Sequence, residues 1–319
     1  MKRSEIKATG KRSFIREILE SIDESTISFA GGLPSEKLFP REDLKIATMK
    51  IFDNPKVFQY GVSNGISELR EKIAQRYTKE GFPTNKNNIL ITTGSQQAMY
   101  ILAKFFENQD ITIEEPSYLG AMNIFRLNNL NMKAVKLEKD GANIEEFKES
   151  FTKTNLAYII PDFQNPTATT YSIEKREQIA KIVKETDGIL IEDSPYGELF
   201  FDKKNVSISS KIPNNSFHLG SFSKTLVPSL RIGWIRADED LLKSLMIIKE
   251  SIDLHSCGIS QYILNEYLED EQNYEHHLQD IRDDYKKKSE YFCEQLDKYL
   301  PKFKYEKPKG GMFLYGSFE

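Results

Sequence analysis

A lysine stands three residues after one serine and directly after another in Ser221-Phe222-Ser223-Lys224, behind the apolar run Phe217-His218-Leu219-Gly220, with Arg231 a short way on. Two hydroxyls and a guanidinium supply donors for a dianionic phosphate, and the amine between them can condense with an aldehyde. A lone lysine is ordinarily a solvated surface residue, so the reading depends on what else converges on it. Four further clusters carry matching chemistry: Thr93-Gly94-Ser95, Glu114-Glu115-Pro116-Ser117-Tyr118, Phe163-Gln164-Asn165-Pro166-Thr167 and Glu192-Asp193-Ser194-Pro195-Tyr196. Pyridoxal 5'-phosphate asks for this set. Lys224 meets its aldehyde, and Ser221, Ser223, Arg231 and the Ser95 turn hold its phosphate. Tyr118 stacks on the ring, and Asp193 faces the pyridine nitrogen and keeps it protonated. Asn165 and Tyr196 bond the phenolic oxygen. Taken singly, each has a duller role as a cap, a turn former, a packing group or a surface charge.

The elements that must position these residues are legible as short apolar runs alternating with helical periodicity. Strands are predicted at Ile89–Thr92, Ile111–Ile113, Ala157–Ile160, Gly188–Ile191 and Phe217–Leu219, and each runs into one of the polar clusters. Alternation of this kind predicts an α/β fold in three layers, a mostly parallel sheet with helices on both faces. Ligands in that architecture sit beyond the carboxyl ends of the strands. Ser95 opens a helix whose Ala98, Ile101, Leu102 and Phe105 face inward, and is alternatively its N-cap. Ser172 caps a helix that buries Ile179, Ile182 and Val183. Another helix starts near Gly65, with Ile66, Leu69, Ile73 and Tyr77 on one face. An amphipathic helix is predicted over residues 11–24, and a small strand at Ile27–Phe29 before the turn Gly31-Gly32-Leu33-Pro34. The long helix from Asn273 to Leu300 leads to strands at Lys304-Tyr305 and Gly310–Tyr315. The expected division is a large cofactor-binding domain over 45–272 and a smaller α+β domain from 1–44 and 273–319, truncated at its C-terminus.

The chain has 319 residues, and its 44 basic and 48 acidic side chains leave a net charge of -4, which gives no reason to expect nucleic acid as a partner. No apolar run is long enough to cross a bilayer. Two cysteines, Cys257 and Cys293, provide neither a disulfide framework nor a cysteine-rich zinc site, so a cytoplasmic protein is expected. His276 and His277 read as solvated residues on a charged helix rather than metal ligands.

The motifs together resemble the fold-type I pyridoxal phosphate enzymes of the class I/II aminotransferase family. Gly31-Gly32-Leu33-Pro34, the Asn165-Pro166-Thr167 element and Ser221–Lys224 with Arg231 look most like its kynurenine/2-aminoadipate branch. The resemblance implies transfer of an amino group from an aromatic, 2-aminoadipate-like or branched L-amino acid to a 2-oxo acid such as 2-oxoglutarate, with Lys224 acting as base and then acid. It also implies a homodimer in which Tyr60 reaches the neighbouring subunit's phosphate, backbone amides of Ser95 and Gln96 that cup the phosphate, and a substrate bordered by Gly32 and Asn165. The family's carboxylate-binding arginine beyond the Gly-Gly-Met-Phe stretch has no counterpart before Glu319, hence the expectation of truncation. Two rivals share the site: a β-lyase acting on a cysteine-type substrate, and a ligand-sensing module of a transcription regulator. Against the second, residues 1–30 hold no basic reader domain.

Overall fold

The computed structural model describes residues 23, 25–27, 29 and 31–318. The helix predicted over 11–24 lies outside them apart from Asp23. Eight strands form one sheet: β1 (Ile89–Thr92), β2 (Asp110–Glu115), β3 (Asn131–Glu138), β4 (Gly141–Ala142), β5 (Leu156–Ile159), β6 (Ile189–Asp193), β7 (Ser216–Ser221) and β8 (Gly233–Arg236), in the order β1-β8-β7-β6-β5-β2-β3-β4. β7, β6, β5, β2 and β3 run parallel, while β8 is antiparallel to both β7 and β1. Two reversals leave β1 parallel to β7. The carboxyl ends of β1, β2, β5, β6 and β7 therefore share one edge of the sheet, and the start of β8 joins them there.

The central strands read as continuous apolar runs because both faces are covered. Side chains alternate between the faces. Leu156, Tyr158 and Ile191 pack with Leu90, Phe217, Ile101 and Phe125 on one side, while Ala157, Ile159 and Leu190 pack with Phe147, Phe151, Ile179 and Val183 on the other. The first side is covered by helices Gly94–Phe105, Leu119–Leu127 and Glu239–Asp253, and the second by Ile144–Thr154 and Ile173–Thr186. A third cluster, around Leu69, Ile73, Phe222, Leu264 and Leu278, packs helices Ser67–Lys79, Gly258–Tyr267 and Glu271–Tyr299 against the β1–β8 end. Each fully buried side chain of this size contributes about 1.5–3 kcal/mol. Among the described residues no helix is long and apolar enough to cross a membrane.

Several expectations need correction. The second sheet pairs β9 (Phe303–Tyr305) with β10 (Gly316–Phe318), not with Gly310–Tyr315. Gly310 makes only an isolated bridge to Phe200, and the Gly311 N–H donates to the Leu199 carbonyl, so this stretch docks on the segment after β6. Cβ atoms on Gly310 and Gly311 would both collide with Phe163, which is why the docking stretch is bare backbone. The Ile27–Phe29 strand is not formed: Ile27 and Phe29 are exposed and irregular, and Ser28 lies outside the described residues. His277 is buried, not solvated. Phe105, expected inward, is exposed.

Candidate active site

β6 ends on Asp193, which puts its carboxylate at the shared edge yet leaves it only 2% exposed. On neighbouring β5, the Tyr158 hydroxyl donates to Asp193 Oδ2 at 2.8 Å. Asp193 Oδ1 is buried with no partner among the described residues. Burial pushes this carboxyl up to about 7, and the Tyr158 hydrogen bond pulls in the other direction. An unpaired buried acceptor costs about 1–3 kcal/mol, so the arrangement calls for a donor from a ligand.

β7 ends at Ser221, whose Oγ accepts from the Ser223 N–H at 3.1 Å and tightens the turn that follows. Lys224 emerges from this turn and its Nζ donates to the Gly32 carbonyl at 2.7 Å. Burial, aided by the Arg231 charge, brings the ammonium down to about 8, which raises the share of neutral amine near neutral pH. From Gly32 the contacts run on around a loop. A Cβ there would lie 2.8 Å from the Phe313 ring, and Phe313 stands edge-on to Tyr196 with centroids 5.3 Å apart. The Tyr196 hydroxyl accepts from Asn165 Nδ2 at 3.2 Å. Tyr118, at the start of helix Leu119–Leu127, packs against the core cluster that holds Tyr158 and Tyr196.

The phosphate corner is built where β1, β8 and β7 lie side by side, with Gly233 opposite both Thr92 and Ser221. The helix after β1 begins at Gly94, with Thr93 at the N-cap, so the alternative of Ser95 as the cap fails and Ser95 and Gln96 fall in its first turn. N–H groups there have no acceptor within the helix and carry the positive end of its dipole. Gly94 has φ +72° and no room for a side chain, since a Cβ would meet the Arg231 guanidinium. Arg231, itself at φ 54°, donates to Ser223 Oγ at 3.3 Å and to the Pro228 carbonyl at 3.1 Å. Antiparallel β8 thus delivers the arginine that precedes it to the edge where the serines stand. Behind the corner, Asp253 accepts from Thr93 Oγ1, Gln97 and Lys249 and ties the helix start down.

Asp193, Lys224, Gly32, Asn165, Tyr196, Tyr118, Ser221, Ser223, Arg231, Ser95 and Gln96 all stand at the same sheet edge. Tyr60 does not join them within the chain: it is 80% exposed and packs edge-on against His255. Sequence reasoning missed Tyr158 and Glu114, both buried in strand interiors. The signal for Glu114 was its place in the polar cluster that directly follows Ile113; Tyr158 gave none, since an inward tyrosine reads as packing.

These residues fit pyridoxal phosphate on the structure's own terms, with an orphaned buried oxygen for the ring N–H, a partly neutral amine, and a cradle of hydroxyls, guanidinium and helix start for the phosphate. The chain matches the family described as aminotransferase class I and II over residues 30–319. Aromatic-amino-acid aminotransferase 1 of Thermococcus litoralis is 33% identical over 330 residues, covering 98% of this chain and 78% of that protein. The crystal structure of the alpha-aminoadipate aminotransferase of Thermus thermophilus, complexed with N-(5'-phosphopyridoxyl)-L-leucine, superposes with a TM-score of 0.88 at 31% identity, covering 96% of this chain and 79% of that one. Kynurenine aminotransferase of Pyrococcus horikoshii, solved with PMP, gives a TM-score of 0.89 at 31% identity over 99% of this chain and 81% of that one. A regulator also matches: the HTH-type transcriptional regulator NorG of Staphylococcus aureus is 30% identical over 93% of this chain and 69% of its own length. Fold, edge chemistry and relatives agree: the chain belongs to the aminotransferase class I and II family, in the aromatic/2-aminoadipate branch, as a fold-type I enzyme dependent on pyridoxal phosphate.

Proposed function

We propose that the chain transfers the amino group of an aromatic, 2-aminoadipate-like or branched L-amino acid to a 2-oxo acid such as 2-oxoglutarate, as a cytoplasmic homodimer. When bound, pyridoxal phosphate supplies the electron sink for the charge left at the substrate α carbon. Lys224 Nζ would take the α proton as the neutral amine and deliver it to the former aldehyde carbon, two bonds away across the nitrogen, acting first as base and then as acid. Asp193 would hold the ring nitrogen protonated, while Asn165 and Tyr196 would donate to the ring oxygen. Ser221, Ser223, Arg231 and the amides of Ser95 and Gln96 would hold the phosphate, and Tyr118 would stack on the ring. Gly32 and Asn165 would border the substrate, and the Phe313 ring beside Gly32 suits an aromatic or long apolar donor. Residues 45–272 carry the cofactor, with 1–44 and 273–319 as the smaller unit.

The observation that carries this reading is the unpartnered Asp193 Oδ1 at the edge where the Lys224 amine emerges. The NorG match favours a second reading, a sensor that binds amino compounds without turning them over. Absorbance of the protein loaded with pyridoxal phosphate, followed by an amino-donor screen with 2-oxoglutarate, separates the two. A visible band bleached by one donor class, with oxo acid consumed in proportion, is expected. Bleaching without oxo-acid turnover supports the sensor, and ammonia release without an acceptor supports a β-lyase.

A further inference from the structure

Glu114 lies in the interior of β2, 1% exposed, and collects four hydrogen bonds. The Ile160 N–H donates to its Oε1 at 3.2 Å and its Oε2 at 3.3 Å, Gln164 Nε2 to Oε2 at 3.1 Å, and the Tyr171 hydroxyl to Oε1 at 2.7 Å. Every donor comes from the segment between β5 and helix Ile173–Thr186, which carries Asn165. Gln164 passes the restraint on. Its Nε2 also donates to the Pro116 carbonyl at 2.9 Å, and its Oε1 accepts from the Thr167 N–H at 2.9 Å and Thr167 Oγ1 at 2.7 Å. Both sides of Asn165 are thereby fastened to one carboxylate. The segment needs fastening, because Phe163 and Ala168 hold left-handed backbone at φ 52° and 59°, which non-glycine residues adopt only when their surroundings enforce it.

We infer that Glu114 is a positioning residue for Asn165, acting through Gln164 to fix the distance between the Asn165 amide and the cofactor's ring oxygen. The inference rests on the proposed role of Asn165 at that oxygen. With the anchor in place, Nδ2 stays within reach of both the ring oxygen and the Tyr196 hydroxyl; without it, the segment relaxes and the amide withdraws.

The test is the pH midpoint at which the visible absorbance of the bound cofactor changes, measured on the full chain loaded with pyridoxal phosphate. A donor at the ring oxygen favours the deprotonated cofactor–lysine linkage, so losing it raises the midpoint. Asn165→Ala is expected to raise it by about 1 unit. Glu114→Gln keeps the side chain's size but leaves one acceptor oxygen where there were two, so its amide N–H groups face the donor of either Gln164 or Ile160 and Tyr171, and it is expected to raise the midpoint by more than about 0.5 unit. The sign discriminates. Simple loss of a negative charge near a cation moves the midpoint down, and Glu114 is close enough to Asp193 and Tyr158 to interact with both. In the Asn165→Ala background Glu114→Gln should give no further rise. Thr167→Val breaks the same chain of bonds nearer the surface and should move the midpoint in the same direction, which covers the case in which Glu114→Gln does not fold. An upward shift in Asn165→Ala but none in Glu114→Gln or Thr167→Val overturns the inference and leaves the site assignment standing. No shift in Asn165→Ala overturns the assignment beneath it as well.

Discussion

Asp193 is a buried carboxyl whose proposed partner is the cofactor's ring N–H, and the cost of its burial is measurable without the cofactor. Its carboxyl is raised from 3.8 to about 7 by burial, so without cofactor the folded chain keeps a proton that the unfolded chain releases. For a raised acid the favourable contribution is whole below the unfolded value, near pH 4, and is lost as pH rises through about 7, at a cost on the order of 4 kcal/mol. Asp193→Asn cannot ionise. The cofactor-free variant should therefore unfold at a higher temperature than the wild type at pH 8, with the gap shrinking toward pH 5. Its gain in melting temperature on adding pyridoxal phosphate should be smaller than the wild type's at either pH. A gap that widened toward pH 5 would show that the wild-type carboxylate is already paired. The role of Asp193 was readable in the sequence because it ends an apolar run, where a polar side chain meets the ligand edge. What Tyr158 and Glu114 do was not readable, although Glu114 stood in the polar cluster after Ile113. Each sits one residue before the end of its strand, and only the lateral pairing of β5 with β6 and β2 says what a polar group there touches.

Among elements, β8 sets the corner proposed to hold the phosphate. Its antiparallel direction brings Arg231 to the edge, and its first residue lets three backbones close together: a Cβ on Gly233 would stand 2.7 Å from the Ser95 nitrogen and the Gly94 carbonyl carbon and 2.9 Å from the Gly220 oxygen. None of these can swing aside as a side chain could. Gly233→Ala should push the helix start away from the serines, destabilise the chain by about 1–3 kcal/mol, and weaken pyridoxal 5'-phosphate binding at least about tenfold, or about 1.4 kcal/mol. Binding of pyridoxal, which lacks the phosphate, should change little, and fluorescence titration of the two compounds checks the difference. Equal losses for both would place the damage elsewhere. The parallel strands β2, β5, β6 and β7 were legible from their short, largely apolar runs. β8 was not, since Ile232–Ile235 is interrupted by glycine and its direction depends on a neighbour. β3 escaped because it lies toward the sheet edge, where exposed lysines and asparagine dilute the strand pattern. Gly310–Tyr315 looked like a strand by composition, but its glycines serve contact with Phe163 and Leu199.

At the scale of the whole molecule, the proposed role of Tyr60 requires a second chain to complete the site. It lies among exposed apolar side chains, Phe58 and Val62 on its own segment and Ile252 and Leu254 across the bond from the Gly61 N–H to His255. That segment adjoins the back of the phosphate corner, because Asp253, two residues before His255, holds Thr93. A two-fold partner covering this face would bury the patch and could set each Tyr60 against the opposite phosphate, as an isologous interface exchanges the same residue in both directions. If so, Tyr60→Ala and Lys224→Ala damage different halves of the same composite site. Each variant dimer alone should be impaired, the lysine variant without turnover. A hybrid of the two carries one whole site, built from the Lys224 of one subunit and the Tyr60 of the other. Random mixing by co-expression makes about half the dimers hybrid, so turnover should recover to roughly a quarter of the wild-type value. Sedimentation should show a dimer throughout. Activity in the mixture no greater than the average of the separate variants would mean that Tyr60 serves only its own chain, and that the exposed aromatic patch has no part in the chemistry.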